Sequence, residues 1–223
     1  MLLAIDTATR SASLALYDGA RVRAELTWEL NAHHTVELMP RIVWIMGQVE
    51  VRASDLSGLA VSIGPGSFTG LRIGLAIAKG LALANDLPLV GVPTLDVLAY
   101  AQPLTRGPLL TVLQAGRDKL AALEYRRSRG AWRAQGETRV TTVEGLIEAW
   151  DKPMWLCGEL DAPEREMLRE RLGERVTLIE PARALRRAGY LAELGWLRLL
   201  AGQADDLDSL SPIYLPTAGV STA

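Results

Sequence analysis

Hydrophobic and polar positions along this chain follow two periods in turn. Leu2–Ile5 is a short apolar run suited to a buried strand, and Ser11–Tyr17 alternates apolar and small polar residues at period two. Asp18-Gly19 is a hairpin signal, and Val22–Trp28 continues the alternation, so the first thirty residues predict a strand meander. From His34 to Val49 the period becomes helical. Val36, Met39, Ile42, Val43, Met46 and Val49 share one face, while Leu38, Trp44 and Ile45 lie off it. That helix is more apolar than a single core contact requires. A strand at Leu59–Ile63, a glycine-rich turn, a helix over Thr69–Ala84, a strand at Leu89–Val92 and a helix from Thr94 follow.

The segment Gln102–Pro108 is rich in turn residues and marks a domain boundary. Beyond it the pattern partly repeats. Strands are expected at Leu109–Leu113, Lys119–Arg127 and Trp132–Val140. Helices at Thr142–Trp150, Pro163–Leu172 and Ala182–Ala201 then alternate with strands at Met154–Cys157 and Val176–Ile179. Two copies of a meander followed by crossovers predict a duplicated, mixed α/β architecture. Its lobes are residues 1–103 and 104–215, with a flexible tail at 216–223. The actin-like ATPase and sugar-kinase superfamily has this layout, with nucleotide held between its lobes.

The 223 residues are 49% hydrophobic with a formal net charge of -2. Such a chain can bury a sizeable core, and its balanced charge argues against a protein whose main task is gripping a nucleic-acid backbone. The one cysteine, Cys157, excludes an internal disulfide and a multi-cysteine metal site. It follows an apolar strand and reads as a buried small hydrophobe. Asp6 arrives too early for a signal peptide, and Arg72 and Lys79 interrupt the long apolar run. A cytoplasmic protein without a membrane segment is expected.

Candidate chemistry centres on Gly64-Pro65-Gly66-Ser67-Phe68-Thr69-Gly70-Leu71-Arg72-Ile73-Gly74, where a strand turns into a helix. That geometry presents backbone N–H groups to an anion or to a close backbone contact. The third glycine falls one place too late for a dinucleotide fingerprint, and Leu71-Arg72 replaces the lysine and hydroxyl of a phosphate-binding loop. A tight turn with close packing behind it remains open beside the anion reading. Gly70, Gly74, Ala78 and Ala82 form a small-residue stripe that admits a neighbouring helix, from this chain or from a partner. With the over-apolar helix it suggests a protein interface; the alternative is that both helices simply cover the sheet. Asp6 and Thr7 close the first strand, where actin-like ATPases place an aspartate facing Mg²⁺ and phosphates; a local turn is the other reading. The equivalent start of the second half is Leu113-Gln114-Ala115-Gly116, with glutamine in place of a carboxylate, and Gly158 supplies one glycine where an adenosine turn carries two. His33 and His34 are neighbours and make no chelating pair. The arginines from Arg165 to Arg187, mixed with glutamates, read as a solvated helical face. No nucleophile–base pair and no metal site emerge.

Ile5-Asp6-Thr7-Ala8-Thr9, His34-Thr35 with Leu38-Met39-Pro40, the Gly64–Gly74 motif, Ala78-Lys79-Gly80-Leu81, Val92–Asp96 and Pro212–Leu215 resemble the TsaB (YeaZ) family, densely over residues 1 to about 100. Gln114 and Pro216 depart from its pattern. The resemblance implies a two-lobed actin-like fold and a non-catalytic paralogue of TsaD. TsaD transfers threonylcarbamoyl to N6 of adenosine 37 in tRNAs reading codons that begin with A. It further implies pairing with a TsaD-like partner through the two helices near His34–Val49 and Thr69–Ala84, and a TsaE-like ATPase as third subunit. Self-pairing is implied when the partner is absent, with only indirect contact with tRNA. The interface residues expected on this basis are His34, Leu38, Met39, Ile42, Ile45, Gly70, Ile73, Gly74, Ile77 and Leu81. No intrinsic cofactor is implied, and ATP or ADP would sit only at an interface shared with partners. The alternative is an autonomous ATP-dependent phosphotransferase, or the peptidase suggested by an older, glycoprotease-like description of the relatives.

Overall fold

The apolar run at the start of the chain becomes β1 (Leu2–Asp6), buried on both faces, and a strand buried on both faces needs a layer on each side. The structure is a computed structural model that describes residues 1–29, 34–116 and 118–215, residues 34–36 by their backbone alone. The expected tail at 216–223, with Pro216, lies outside the described residues, as does His33. The described chain divides into one unit of Met1–Val97 with Arg186–Ile213, and a second of Leu98–Leu185 with Tyr214 and Leu215.

In the first unit β1, β2 (Ser11–Tyr17) and β3 (Val22–Glu29) form the antiparallel meander, and β4 (Gly58–Gly64) and β5 (Leu89–Pro93) extend it in parallel. The order is β3-β2-β1-β4-β5. Alternation sorts the side chains. Leu3, Ile5, Leu14, Leu16, Leu59 and Val61 share a core with helices α1 (His34–Gln48) and α2 (Phe68–Asn85). Leu2, Ala4, Ala15, Ala60 and Val90 share a second core with α7 (Ala188–Leu200), near the end of the chain. A C-terminal strap then covers the edge of β5. Asp205 accepts from the Gly91 amide (2.8 Å), and the Ile213 amide donates to the Ile63 carbonyl (2.7 Å). An edge covered in this way offers no free ladder to another chain.

In the second unit the order is β10-β9-β6-β7-β8. Its strands are β6 (Leu109–Gln114), β7 (Leu120–Ser128), β8 (Ala131–Thr141), β9 (Met154–Gly158) and β10 (Val176–Leu178). Again three antiparallel strands lead into two parallel ones. Helices α4 (Val143–Glu148) and α5 (Ala162–Leu172) cover one face through Val143, Leu146, Leu168 and Leu172. The same topology therefore occurs twice. The remaining helices are α3 (Thr94–Tyr100) and α6 (Pro181–Ala184).

Three expectations change. The domain boundary is not a single cut near residue 103, because residues 186–213 return to the first unit. The helix expected over Ala182–Ala201 breaks at Leu185–Arg187, giving α6 and α7. The inward face of α1 is Leu38, Ile42 and Ile45, each 1% exposed, whereas Val43 is 65% and Trp44 53% exposed. The spacing i, i+4, i+7 is one helical stripe. Because apolar residues surround most of this helix, periodicity alone places the face partly off the core: Ile42, Met46 and Val49 do pack on it, Met39 and Val43 do not, and Leu38 and Ile45 are missed.

This assignment has a direct consequence for stability. Ile42→Ala removes buried methyl groups and is expected to cost about 2–5 kcal/mol in urea unfolding. Val43→Ala, one residue on, is expected to stay within about 0.5 kcal/mol of the parent. Similar losses from both would return Val43 to the core.

Candidate functional site

The glycine turn is built against the end of β1. Ser67 caps α2 by accepting from the Gly70 amide (3.2 Å), and its own amide donates to the Ala8 carbonyl (2.6 Å). Thr7 Oγ1 donates to the Gly70 carbonyl (2.7 Å), and Thr94 Oγ1 accepts from the Gly64 amide (3.1 Å). A Cβ at Gly66 would meet the Ala8 carbonyl, one at Gly70 the Thr7 carbonyl, and one at Gly74 the Thr7 hydroxyl. The glycines therefore admit a close backbone approach, as one sequence reading held, but the approaching backbone is the chain's own. Gly70, Gly74, Ala78 and Ala82 are all buried. The small-residue stripe faces inward and is not a docking surface.

Asp6 lies at the centre of this arrangement, fully buried. Its Oδ1 accepts from the Ala8 amide (2.9 Å) and the Ser62 hydroxyl (3.0 Å). Its Oδ2 accepts from Arg186 Nε at 3.0 Å. The Arg186 guanidinium, also buried, reaches Thr9 Oγ1 (2.9 Å) and the Ser11 carbonyl (2.7 Å). A carboxylate without water needs a counter-charge and several donors, and here the chain supplies all of them. Arg186 falls in the break between α6 and α7, 180 positions from its partner. Next to it Arg187 Nε donates to Glu25 (2.7 Å), and Glu25 also accepts from the Gly189 amide (2.7 Å) at the start of α7.

The expected solvated arginine face holds at Arg169, Arg171, Arg175, Arg183 and Arg187, which are exposed, and is corrected at two positions. Arg165 and Arg186 are buried, and Arg165 donates to the Ile179 carbonyl (2.8 Å). At the equivalent end of β6, Gln114 donates to Glu164 (3.2 Å), which also closes the capping box of α5 with Asp161. Cys157 is buried, and burial pushes its thiol up to about 12, the opposite of an activated nucleophile.

The expected interface residues separate into groups. Leu38, Ile42 and Ile45 are core, Gly70 and Gly74 face Thr7, and Ile73, Ile77 and Leu81 are half-buried against the first core. Met39 is exposed; the side chain of His34 lies outside what is described. The surface these helices present is a different set. α1 shows Met39, Val43 and Trp44, and α2 shows Ala76, Gly80, Ala84 and Leu83, the last 71% exposed. A Cβ at Gly47 or Gly80 would stand in open space. Of the residues left off the helical stripe only Trp44 belongs to this face, which it shares with Met39 and Val43 from the stripe itself. Among the described residues, no helix is long and apolar enough to cross a membrane.

Residues 28–156 match the family described as TsaD: tRNA N6-adenosine threonylcarbamoyltransferase. Over 151 residues the chain is 38% identical to the tRNA threonylcarbamoyladenosine biosynthesis protein TsaB of Escherichia coli, a match spanning 66% of this chain and 64% of that protein. It is 29% identical over 224 residues to the protein of the same name from Bacillus subtilis, spanning 97% and 94%. The solved structure of YeaZ from Pseudomonas aeruginosa superposes with a TM-score of 0.76 at 25% identity, covering 96% of this chain and 99% of that one. The ROK hexokinase of Thermus thermophilus, at 10% identity and a TM-score of 0.51, covers 89% and 99% and shares the fold alone. The fold is thus the actin-like ATPase and sugar-kinase type that the duplicated pattern predicted.

Two measurements test the buried groups. Arg186→Met strands the Asp6 carboxylate and is expected to cost about 3–5 kcal/mol in urea unfolding. Asp6→Asn with Arg186→Met should cost less than the two single losses added. Additive losses would mean that the pair is not coupled. The thiol of Cys157 is raised in the folded chain from an ordinary value of 9.0 to about 12. Folding thus favours its protonated form, and that stability is complete below about pH 9 and is lost as pH rises towards 12. The native chain should resist iodoacetamide at pH 8, and Cys157→Ala should lose less stability between pH 9 and 11 than the parent does. Rapid alkylation without unfolding would contradict the burial.

Proposed function

The chain belongs to the TsaD family and within it to the TsaB (YeaZ) proteins, and from that premise we propose that it is a non-catalytic subunit in the formation of N6-threonylcarbamoyladenosine on tRNA. It holds a TsaD-like catalytic paralogue by pairing through the outward faces of α1 and α2. The observation that carries this reading is the exposed apolar surface of Val43, Trp44 and Leu83 beside the open glycines Gly47 and Gly80. Large exposed apolar side chains next to small residues suit close helix–helix docking. A TsaE-like ATPase joins as third subunit, and the same face pairs two copies of this chain when the partner is absent. The pairing role itself requires of this chain no more than indirect contact with tRNA, through the paired catalytic subunit.

The autonomous phosphotransferase is the weaker reading. Asp6, the residue that would face Mg²⁺ and phosphates, is already neutralised by Arg186. We therefore propose no intrinsic nucleotide, with ATP or ADP held only where subunits meet, and a cytoplasmic location.

Gly80→Leu is the informative variant. It removes a helix-interior glycine, so the isolated chain should gain up to about 1 kcal/mol, yet it fills the open row on α2. Size-exclusion of the purified chain with its TsaD-like partner should show pairing lost in Gly80→Leu and in Trp44→Glu, with tRNA modification falling alongside. Pairing that survives both changes would place the interface elsewhere. Calorimetry of the isolated chain with ATP and Mg²⁺ is expected to show no binding heat; tight binding would favour the kinase reading.

A further inference from the structure

The hairpin of β7 and β8 concentrates positive charge that the rest of the chain lacks. From Tyr125 to Gly136 there are four arginines, Arg126, Arg127, Arg129 and Arg133, and no acid, in a chain whose net charge is -2. All four are exposed. Arg126 shares Glu124 with Lys152, at 3.0 Å and 3.3 Å. Arg127, Arg129 and Arg133 have no acidic partner among the described residues.

Two features show that the hairpin does not place these charges for its own stability. The register sets Arg126 directly opposite Arg133, and like charges facing each other across a ladder repel. The two-residue turn Arg129-Gly130 has φ of +50° and +76°. Such turns prefer Asn-Gly or Asp-Gly, and a long side chain at the first position is strained. An anion lying against the tip offsets the repulsion; the backbone strain stays as a cost of holding a cation at the turn.

The geometry points to an RNA-binding hairpin, in which Arg127, Arg129 and Arg133 contact phosphates and Arg126 is released from Glu124 to join them. The planar forks of arginine match phosphate oxygens two at a time and stack on exposed bases. The tip carries no exposed large apolar side chain that could anchor it in a lipid surface. The guanidiniums stand on both faces of the ribbon and at its end, an arrangement that suits a strand passing around it better than a flat acidic protein surface. This inference goes beyond the proposed pairing role, since it needs only the isolated chain.

The test is anisotropy of a labelled, unmodified full-length tRNA transcript titrated with the full chain over a range of salt. The parent should bind with an affinity that falls steeply as salt rises, each phosphate contact adding about 0.7 to 0.9 to the slope of log affinity against log salt. The triple change Arg127→Gln, Arg129→Gln, Arg133→Gln should lower that slope by about 2–3. Arg52→Gln, elsewhere on the surface, should leave it unchanged. Arg129→Gly guards against a folding artefact. It relieves the strained turn, so its melting temperature should hold or rise while RNA affinity falls several-fold. The proposal is overturned by triple-variant binding equal to the parent, by no binding at low salt, by phosphatidylserine vesicles binding where RNA does not, or by polyglutamate competing as well as RNA at equal charge.

Discussion

The buried ion pair between Asp6 and Arg186 is the constraint on which the first unit is organised. Neither group can be left alone in a dry interior, since an isolated buried charge costs several kcal/mol. The carboxylate ends β1, orders the turn through the Ala8 amide and ties β4 through Ser62. The guanidinium carries the C-terminal segment back to that point and delivers α7 onto the open face of the sheet. The helix break at Leu185–Arg187 follows from the same need, because an arginine continuing a regular exposed helix would not reach the strand end.

Much of the fold was legible in local pattern. The period-two alternation of Ser11–Tyr17 and the apolar run Leu2–Ile5 became strands at almost the expected bounds. The duplication was also legible, because each half repeats a meander and then crossovers. What local pattern does not encode is which neighbour a residue will meet. Gly70 and Gly74 were rightly read as permitting close approach, yet the partner, Thr7, lies more than sixty positions away. Arg186 looked like one more charge in an arginine-rich stretch, and its partner is nearly the whole chain length distant. On α1, apolar residues surround so much of the axis that a moment argument has no unique answer, and only the sheet beneath selects Leu38, Ile42 and Ile45.

The two sheets also show how one topology supports different chemistry. β1 ends in a carboxylate locked to a guanidinium, whereas β6 ends in an amide held by a capping glutamate. Gly64 and Gly158 close the equivalent strands β4 and β9, both with positive φ. The frame is repeated; the polar groups at its strand ends are not. Under the proposed role this divergence is expected, since a pairing subunit needs the frame and its outer helices rather than two matched phosphate loops.

The return of residues 186–213 to the first unit has a consequence for synthesis on the ribosome. The sheet made first is the one completed last. Its β1–β5 strands emerge with α1 and α2 on one face only, and the intervening Leu98–Leu185 must be translated before Arg186 and α7 appear. At roughly 5–20 residues per second that interval is on the order of 4–18 s. Throughout it Asp6 has no counter-charge and the Leu2, Ala4 and Ala60 face is bare. The nascent first unit is therefore the segment most exposed to chaperones and to misassociation, although it comes first in the chain.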